Sequence, residues 1–278
     1  MSPAGRNTKH ERGLKPRDYI LDGTGSLTFE KSAGRAWYNA PSFFDRRAME
    51  LKKIVVAVPA FNEAATIGQV LRGVPPRIDG IPVTTVVVDD GSTDPTAEAA
   101  AGCGAYVIRH LTNLGVGAAT QTCFRAAQML DADIVVTIDA DGQHDPAEID
   151  RLVDCLIDGR FDVVIGSRLL DPRGMPLLRV LANLLLNAVT FVVYGKIVSD
   201  SQSGFKAFSR SAVDCMELRS AGYEICSEII GEIYRKKLSY KSLPVKAVYT
   251  TYSYAKGQHF LNGIHLILGL FIRWVRRV

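Results

Sequence analysis

The sequence has no paired cysteines. Its five, Cys103, Cys123, Cys155, Cys215 and Cys226, are an odd number, widely spread and without a CxxC spacing. That excludes a disulfide scaffold and a thiolate metal site, and fits small buried fillers in a reducing compartment. The first 50 residues lack the apolar core of a secretory signal, so cytoplasmic residence is expected. Charge of one sign is not in large excess: 33 Lys and Arg face 29 Asp and Glu, a formal net charge of +4. Such a balance suits approach to an anionic surface or ligand. With no regular basic, aromatic or zinc-finger pattern beside it, no nucleic-acid partner is expected. What is abundant is apolar side chain, 47% of 278 residues, enough for one large α/β domain with terminal segments attached.

Four apolar runs punctuate the chain, and each ends in polar loop residues. Lys52–Pro59 leads into Ala60-Phe-Asn-Glu63, and Thr84–Val88 leads into Asp89-Asp-Gly-Ser-Thr-Asp-Pro95. Ile134–Ile138 ends in Asp139-Ala-Asp-Gly-Gln-His-Asp145, and Phe161–Gly166 in Ser167-Arg168. Continuous β-branched runs of this length read as buried parallel strands. Ala105–Ile108 is a shorter strand of the same kind. Helices are expected after them: over 64–71, after Asp94-Pro95, from the glycine-interrupted 113–119, and after Asp145-Pro-Ala-Glu148, where Asp caps and Pro takes the first turn. The alternation predicts a three-layer α/β/α fold with a mostly parallel sheet and its site along the C-terminal strand edges. An irregular arm over 1–50, a catalytic body over 51–250, and a lid with an amphipathic tail over 251–278 complete the expected organisation.

A dinucleotide-binding reading of Gly115 and Gly117 is weak. Thr120 stands where a third small residue belongs, and the first strand runs into Pro-Ala-Phe-Asn-Glu instead of a glycine loop. The acidic loops are more informative. Asp139 and Asp141 alternate at the end of a buried strand, so both can face one crevice. Two carboxylates that close repel unless a divalent cation such as Mg2+ or Mn2+, carrying a phosphate-bearing ligand, lies between them; the alternative is a solvated turn. Asn62/Glu63 and Asp89/Asp90/Asp94 repeat acidic chemistry at equivalent strand ends. Carboxylates there accept hydrogen bonds from a base or ribose and hold a cation that bridges to phosphate, which favours a nucleotide-diphosphate ligand.

Six segments in this order carry a resemblance: Val58-Pro-Ala-Phe-Asn-Glu63, Val88-Asp-Asp-Gly-Ser-Thr-Asp94, Asn113-Leu-Gly-Val-Gly117, Asp139-Ala-Asp-Gly-Gln-His-Asp145, Gly166-Ser-Arg168 and Asp200-Ser-Gln-Ser-Gly-Phe205. Over roughly 52–210 the chain resembles the inverting family 2 glycosyltransferases of GT-A fold. It looks most like those that move a sugar from a UDP- or GDP-sugar to a polyprenyl or dolichyl phosphate. The resemblance implies that Pro59, Asn62, Glu63, Asp89 and Asp90 line the nucleoside pocket and that Asp139 lies near the ribose or sugar. It implies Asp141 as principal metal ligand, Gln143 at a phosphate, and Arg168 paired with phosphate. Asp200 has two readings: a base if the acceptor is a sugar hydroxyl, or an orienting group if the acceptor is an already ionised lipid phosphate. Two alternatives remain beside the lipid acceptor, a soluble or glycan hydroxyl acceptor and a non-catalytic nucleotide-sugar-binding protein.

Beyond the acidic motifs, Leu177–Val193 is strongly apolar, with Arg179, Asn183 and Asn187 at helical spacing. Its narrow polar stripe suits a core helix, a homo-oligomer contact or a membrane-facing acceptor helix. The resemblance places Arg173 and Arg179 where a polyprenyl phosphate arrives, makes Glu228 a candidate for positioning an acceptor loop, and makes Lys256 or His259 candidates for reaching phosphate from a lid. Trp274 among Arg273, Arg276 and Arg277 predicts peripheral contact with the cytoplasmic face of a membrane.

Overall fold

The computed structural model describes residues 51–195 and 197–248. The expected arm, lid and tail, with Lys256, His259 and the terminal arginines, lie outside the described residues. Within those residues, eight strands and seven α-helices follow in the order β1 (Ile54–Ala60), α1 (Ile67–Gly73), β2 (Arg77–Ile78), β3 (Ile81–Asp89), α2 (Thr96–Gly102), β4 (Tyr106–Arg109), α3 (Val116–Met129), β5 (Ile134–Thr137), α4 (Ile149–Asp158), β6 (Val163–Ser167), α5 (Leu177–Tyr194), β7 (Lys206–Ser209), α6 (Arg210–Cys215), α7 (Ile225–Arg235) and β8 (Tyr240–Pro244). They form one sheet ordered β2-β3-β1-β5-β7-β6-β8, with β4 beside β3.

The sheet is parallel through β4, β3, β1 and β5, and again between β6 and β8. Between these blocks β7 runs antiparallel to both β5 and β6. The sequence predicts the parallel strands; it gives no sign of β7, an insertion that only long-range pairing creates. Alternate residues of β1 enter opposite layers, as strand geometry requires. Ile54, Val56 and Val58 join Ile67, Leu152 and Leu156 of α1 and α4 in one core. Val55 and Ala57 join Phe124, Val213 and Ile230 of α3, α6 and α7 in the other. A sheet buried on both faces explains why its strands read as unbroken apolar runs. All five cysteines are free.

Asp145 behaves as its position predicts. Its side chain accepts from the Ala147 amide at 3.0 Å, and Pro146 opens a short 3-10 turn that continues into α4. The edge strand β8, Tyr240–Pro244, lies on the outer side of β6.

The glycine pair before α3 has a purely structural use. Gly117 N donates to the Ala221 carbonyl at 2.6 Å and Ala118 N to the same oxygen at 3.2 Å, so a protein carbonyl caps this helix. A Cβ at Gly117 would stand 2.1 Å from the Ser220 carbonyl oxygen. Close approach of two backbones, and not a dinucleotide, is what these glycines serve. Gly117→Ala is expected to destabilise the fold by about 1–3 kcal/mol, the usual cost of forcing a methyl into a filled space. An unchanged urea midpoint would overturn that reading.

Candidate active site

The C-terminal ends of β1, β3, β5 and β6 bring the acidic loops together, and each loop is fixed by its neighbours. Asn62 adopts a left-handed conformation, φ 54°, that its short amide tolerates. Its Oδ1 accepts from Thr93 N at 2.8 Å, and its own N–H donates to Ser92 Oγ at 2.8 Å. Glu63 is buried; its N–H donates to Thr96 Oγ1, and its carboxylate accepts from Thr66 Oγ1 at 2.9 Å. The loops after β1 and β3 therefore form one hydrogen-bonded unit, with Pro59 near the end of β1.

Asp89 and Asp90 are almost wholly inside this unit. Asp89 accepts from Ser92 N and lies 3.1 Å from Arg109 Nε. Asp90 accepts from Leu114 N at 3.0 Å, Gly115 N at 2.8 Å and the His110 ring at 2.7 Å. The resemblance would have both present acceptors to a nucleoside. Here these contacts also tie the two side chains to the loops around them.

Asp139 and Asp141 follow β5 into the crevice, as expected. Burial raises the Asp139 carboxyl above its ordinary range; Arg168 and Lys206 oppose that, and Glu63 and Asp200 add to it. Asp141 is pushed up to about 7, by burial first and then by the negative charge of Asp139, although Gln143 N donates to it at 2.9 Å. Carboxylates held this way bind a proton or a cation readily. Among the described residues no three His, Cys, Asp or Glu side chains converge on one point. Two hard oxygen donors beside an open crevice still fit Mg2+ or Mn2+, ions that take one or two carboxylates and complete their shell with phosphate and water.

Arg168, expected to meet a phosphate, is held by a carboxylate in this structure. Nε donates to Asp200 Oδ2 at 2.8 Å and Nη2 to Oδ1 at 3.0 Å, with the Arg168 backbone N–H adding a third bond at 3.1 Å. Burial alone would push the Asp200 carboxyl up; the guanidinium reverses this and holds it below the usual carboxylate range. With three bonds from Arg168, the Asp200 carboxylate is only weakly basic while this pair holds.

Of the acceptor-side candidates, Arg179 reaches the site, with Nη1 3.5 Å from Gln143 Oε1. Arg173 does not: its side chain is 85% exposed and paired with Asp171. Glu228 accepts from Arg219 N and Ser220 N, in the loop that caps α3. Two residues escape a reading of the sequence. Lys206, buried in β7, donates to the Ser203 carbonyl and places a positive charge near Asp139 and Asp200. His144 is buried beside Asp139. A charged residue interrupting an apolar strand, and a histidine closing an acidic motif, are the signals that could have found them.

A family model described as glycosyl transferase family 2 matches residues 55–216, which span every element named above from β1 to α6. The chain belongs to glycosyl transferase family 2. It is a transferase of GT-A fold that handles a nucleotide-sugar donor. Among relatives of this family, it is 35% identical over 244 residues to the UDP-N-acetylglucosamine–dolichyl-phosphate N-acetylglucosaminyltransferase of Methanococcus voltae, covering 80% of this chain and 96% of that protein. Among solved structures it resembles glucosyl-3-phosphoglycerate synthase of Mycobacterium tuberculosis in complex with phosphoglyceric acid, at 26% identity and TM-score 0.61 over 80% of each chain. The complex of that enzyme with Mn2+ and UDP-glucose matches at 25% identity and TM-score 0.60 over 79% of each chain.

Two measurements check this site. Arg168→Met should cost about 3–5 kcal/mol by leaving a buried carboxylate unpaired, and adding Asp200→Asn should recover part of it; a double variant no more stable than the single one contradicts the pairing. Asp141 sets a pH dependence. Its folded pKa lies above the unfolded value of about 3.9, so the protonated form favours the folded state. That contribution is full below the unfolded pKa and lost as pH rises through about 7. The melting temperature of the metal-free protein, relative to Asp141→Asn, should therefore fall between pH 4 and 7.

Proposed function

We propose that this chain is a metal-dependent inverting glycosyltransferase of the cytoplasmic membrane face that moves a hexose from a UDP- or GDP-sugar to a polyprenyl phosphate. The observation that carries the reading is the orientation of α5. Its inner face holds Asn187, which bonds the Ser199 carbonyl and Ser201 N, and Thr190, which bonds Ser201 Oγ and Ser227 Oγ. Its outer face holds Leu177, Leu178, Leu181, Leu184, Leu185, Phe191 and Val192, all exposed. At 100° per residue these fall within an arc of roughly 140°. A helix of mean hydropathy 1.8 with only 11% of its length buried has its polar stripe inward and its apolar face outward. That is the reverse of a helix packed for water. Its polar contacts reach Ser199 and Ser201, the two neighbours of Asp200, so an apolar surface borders the site, as a lipid acceptor requires.

Within this reading Pro59, Asn62, Glu63 and the loops held by Asp89 and Asp90 frame the nucleoside. Asp139, Asp141 and Gln143 hold the cation and the donor phosphates. The bound cation would neutralise charge developing on the departing nucleotide diphosphate. Arg168, kept in register by Asp200, adds a fixed positive charge, and Arg179 meets the acceptor phosphate as it arrives along α5. An ionised phosphate oxygen attacks without a general base, which agrees with an Asp200 already committed to Arg168. Arg173, exposed as it is, serves only as a peripheral attraction for the lipid headgroup, and Glu228 keeps the 219–222 loop in place. The dolichyl-phosphate acceptor in the name of the Methanococcus voltae relative supports the same acceptor class.

A second reading, transfer to the hydroxyl of a soluble acceptor, is favoured by the likeness to the phosphoglycerate-bound synthase. It needs Asp200 released from Arg168 to serve as base. Incubating the purified protein with Mn2+ and a panel of UDP- and GDP-sugars, with polyprenyl phosphate or with phosphoglycerate, separates the two. The lipid-linked sugar with inverted anomeric configuration is expected. Leu178→Asp/Leu185→Asp should raise the lipid KM at least tenfold and leave donor affinity unchanged. Turnover on phosphoglycerate alone, or a retained configuration, would sink the proposal.

A further inference from the structure

His144 has a task that neither the family motif nor the acidic cluster explains. The ring is buried, with 1% of the residue exposed, and rests on Phe205 at a centroid distance of 5.2 Å. Its backbone is held by a bridge to Ala247, and the Gln143 carbonyl just before it accepts from Val248 N. Both ring nitrogens lack a hydrogen-bond partner among the described residues. Buried polar atoms in a native fold are nearly always satisfied, so two orphaned nitrogens on one immobilised ring point to a partner that arrives later.

Beside the ring stands Asp139, whose Oδ2 lies 3.9 Å from His144 Nε2. Both oxygens of that carboxylate also lie close to Gly204, where a Cβ would stand 2.1 Å from Oδ1 and 2.2 Å from Oδ2. The carboxylate thus packs over bare glycine backbone, with the imidazole beside Oδ2. With 36% of its side chain exposed toward the crevice, it has room to move. A shift of about 1 Å brings Oδ2 to hydrogen-bond distance of Nε2.

We propose that His144 is the positioning residue for Asp139: its Nε2–H donates to Asp139 Oδ2 in the donor-bound enzyme and fixes the orientation in which the carboxylate meets the cation and the donor. Second-sphere donors of this kind orient carboxylate ligands, and their loss weakens metal binding by about 10–100-fold. The ring need not touch the ligand, which suits its burial. A neutral imidazole has one N–H, and the carboxylate beside Nε2 selects the tautomer that carries it there.

This inference rests on the proposed metal and nucleotide chemistry, so its test includes a measurement that needs neither. In the free wild-type protein, ring 15N resonances of His144 should report the Nε2–H tautomer; a proton on Nδ1 overturns the assignment. In calorimetric titrations with Mn2+ and UDP or GDP, His144→Phe should weaken Mn2+ binding about 10–100-fold. His144→Gln, which keeps an N–H near the ε position, should restore most of it. Equal Mn2+ affinity in wild type and a folded His144→Phe also overturns it. Should the phenylalanine variant fail to fold, a glutamine variant as weak as Asp139→Ala is the overturning result. A wild type that binds Mn2+ with neither nucleotide defeats the proposed function instead, and the tautomer then decides the role of His144 alone.

Discussion

The pairing of Arg168 with Asp200 is what allows so many charges to share one edge of the sheet. Glu63, Asp139, Asp141 and Asp200 bring four carboxylates to the ends of neighbouring elements, against Arg168 and the buried Lys206. Desolvating such groups is costly unless each finds a partner. Asp200 is fully satisfied by three bonds from Arg168, and this fixes the entry to α5 and the Ser201–Phe205 turn at once. The excess of negative charge is thereby confined to Asp139 and Asp141, the two groups that face the crevice. Their raised pKa values are the electrostatic statement of that confinement.

The same pair ties the acidic centre to the apolar helix. Asp200 and Ser201 stand at the end of the connection from α5, and Ser201 bonds to both Asn187 and Thr190. Ser227, at the start of α7, bonds Thr190, while its neighbour Glu228 holds the 219–220 backbone over α3. A single turn of α7 therefore touches the helix on the acceptor side and the loop that abuts the glycine pair. The polar stripe on α5 is buried because these partners need it, and the apolar face is outward because the stripe has taken the inward side.

The parts legible in the sequence are those decided locally. Buried strands reveal themselves as continuous apolar runs, so β1, β3, β5 and β6 can be read from residue type alone, and the carboxylates at their ends come with them. By contrast, β7 is four residues long and carries Lys206 in its pairing with Thr137, so neither length nor composition marks it. The edge strand β8 is not marked either, because its half-exposed residues give no apolar run. Partnerships between distant residues are equally hidden: Arg168 and Asp200 are separated by 32 positions, and Asp90 meets His110 across 20. For α5, spacing gives the existence of a stripe and not which side faces the protein, since that depends on hydroxyls and carbonyls supplied by three other segments.

The glycine pair shows how such tertiary facts constrain chemistry. A helix N-terminus opening from a glycine loop is a ready anion site in many nucleotide-binding folds, where free N–H groups meet a phosphate. In this chain the Ala221 carbonyl already accepts from Gly117 N and Ala118 N, so the start of α3 is closed to a phosphate. Arg168 shares its positive charge with Asp200. A pyrophosphate entering beside Asp139 and Asp141 would meet their negative charge without help from the start of α3. On the proposed reading, a divalent ion shared between those carboxylates and the phosphates removes the conflict. The geometry that withholds α3 from the ligand is then the same geometry that makes the ion necessary.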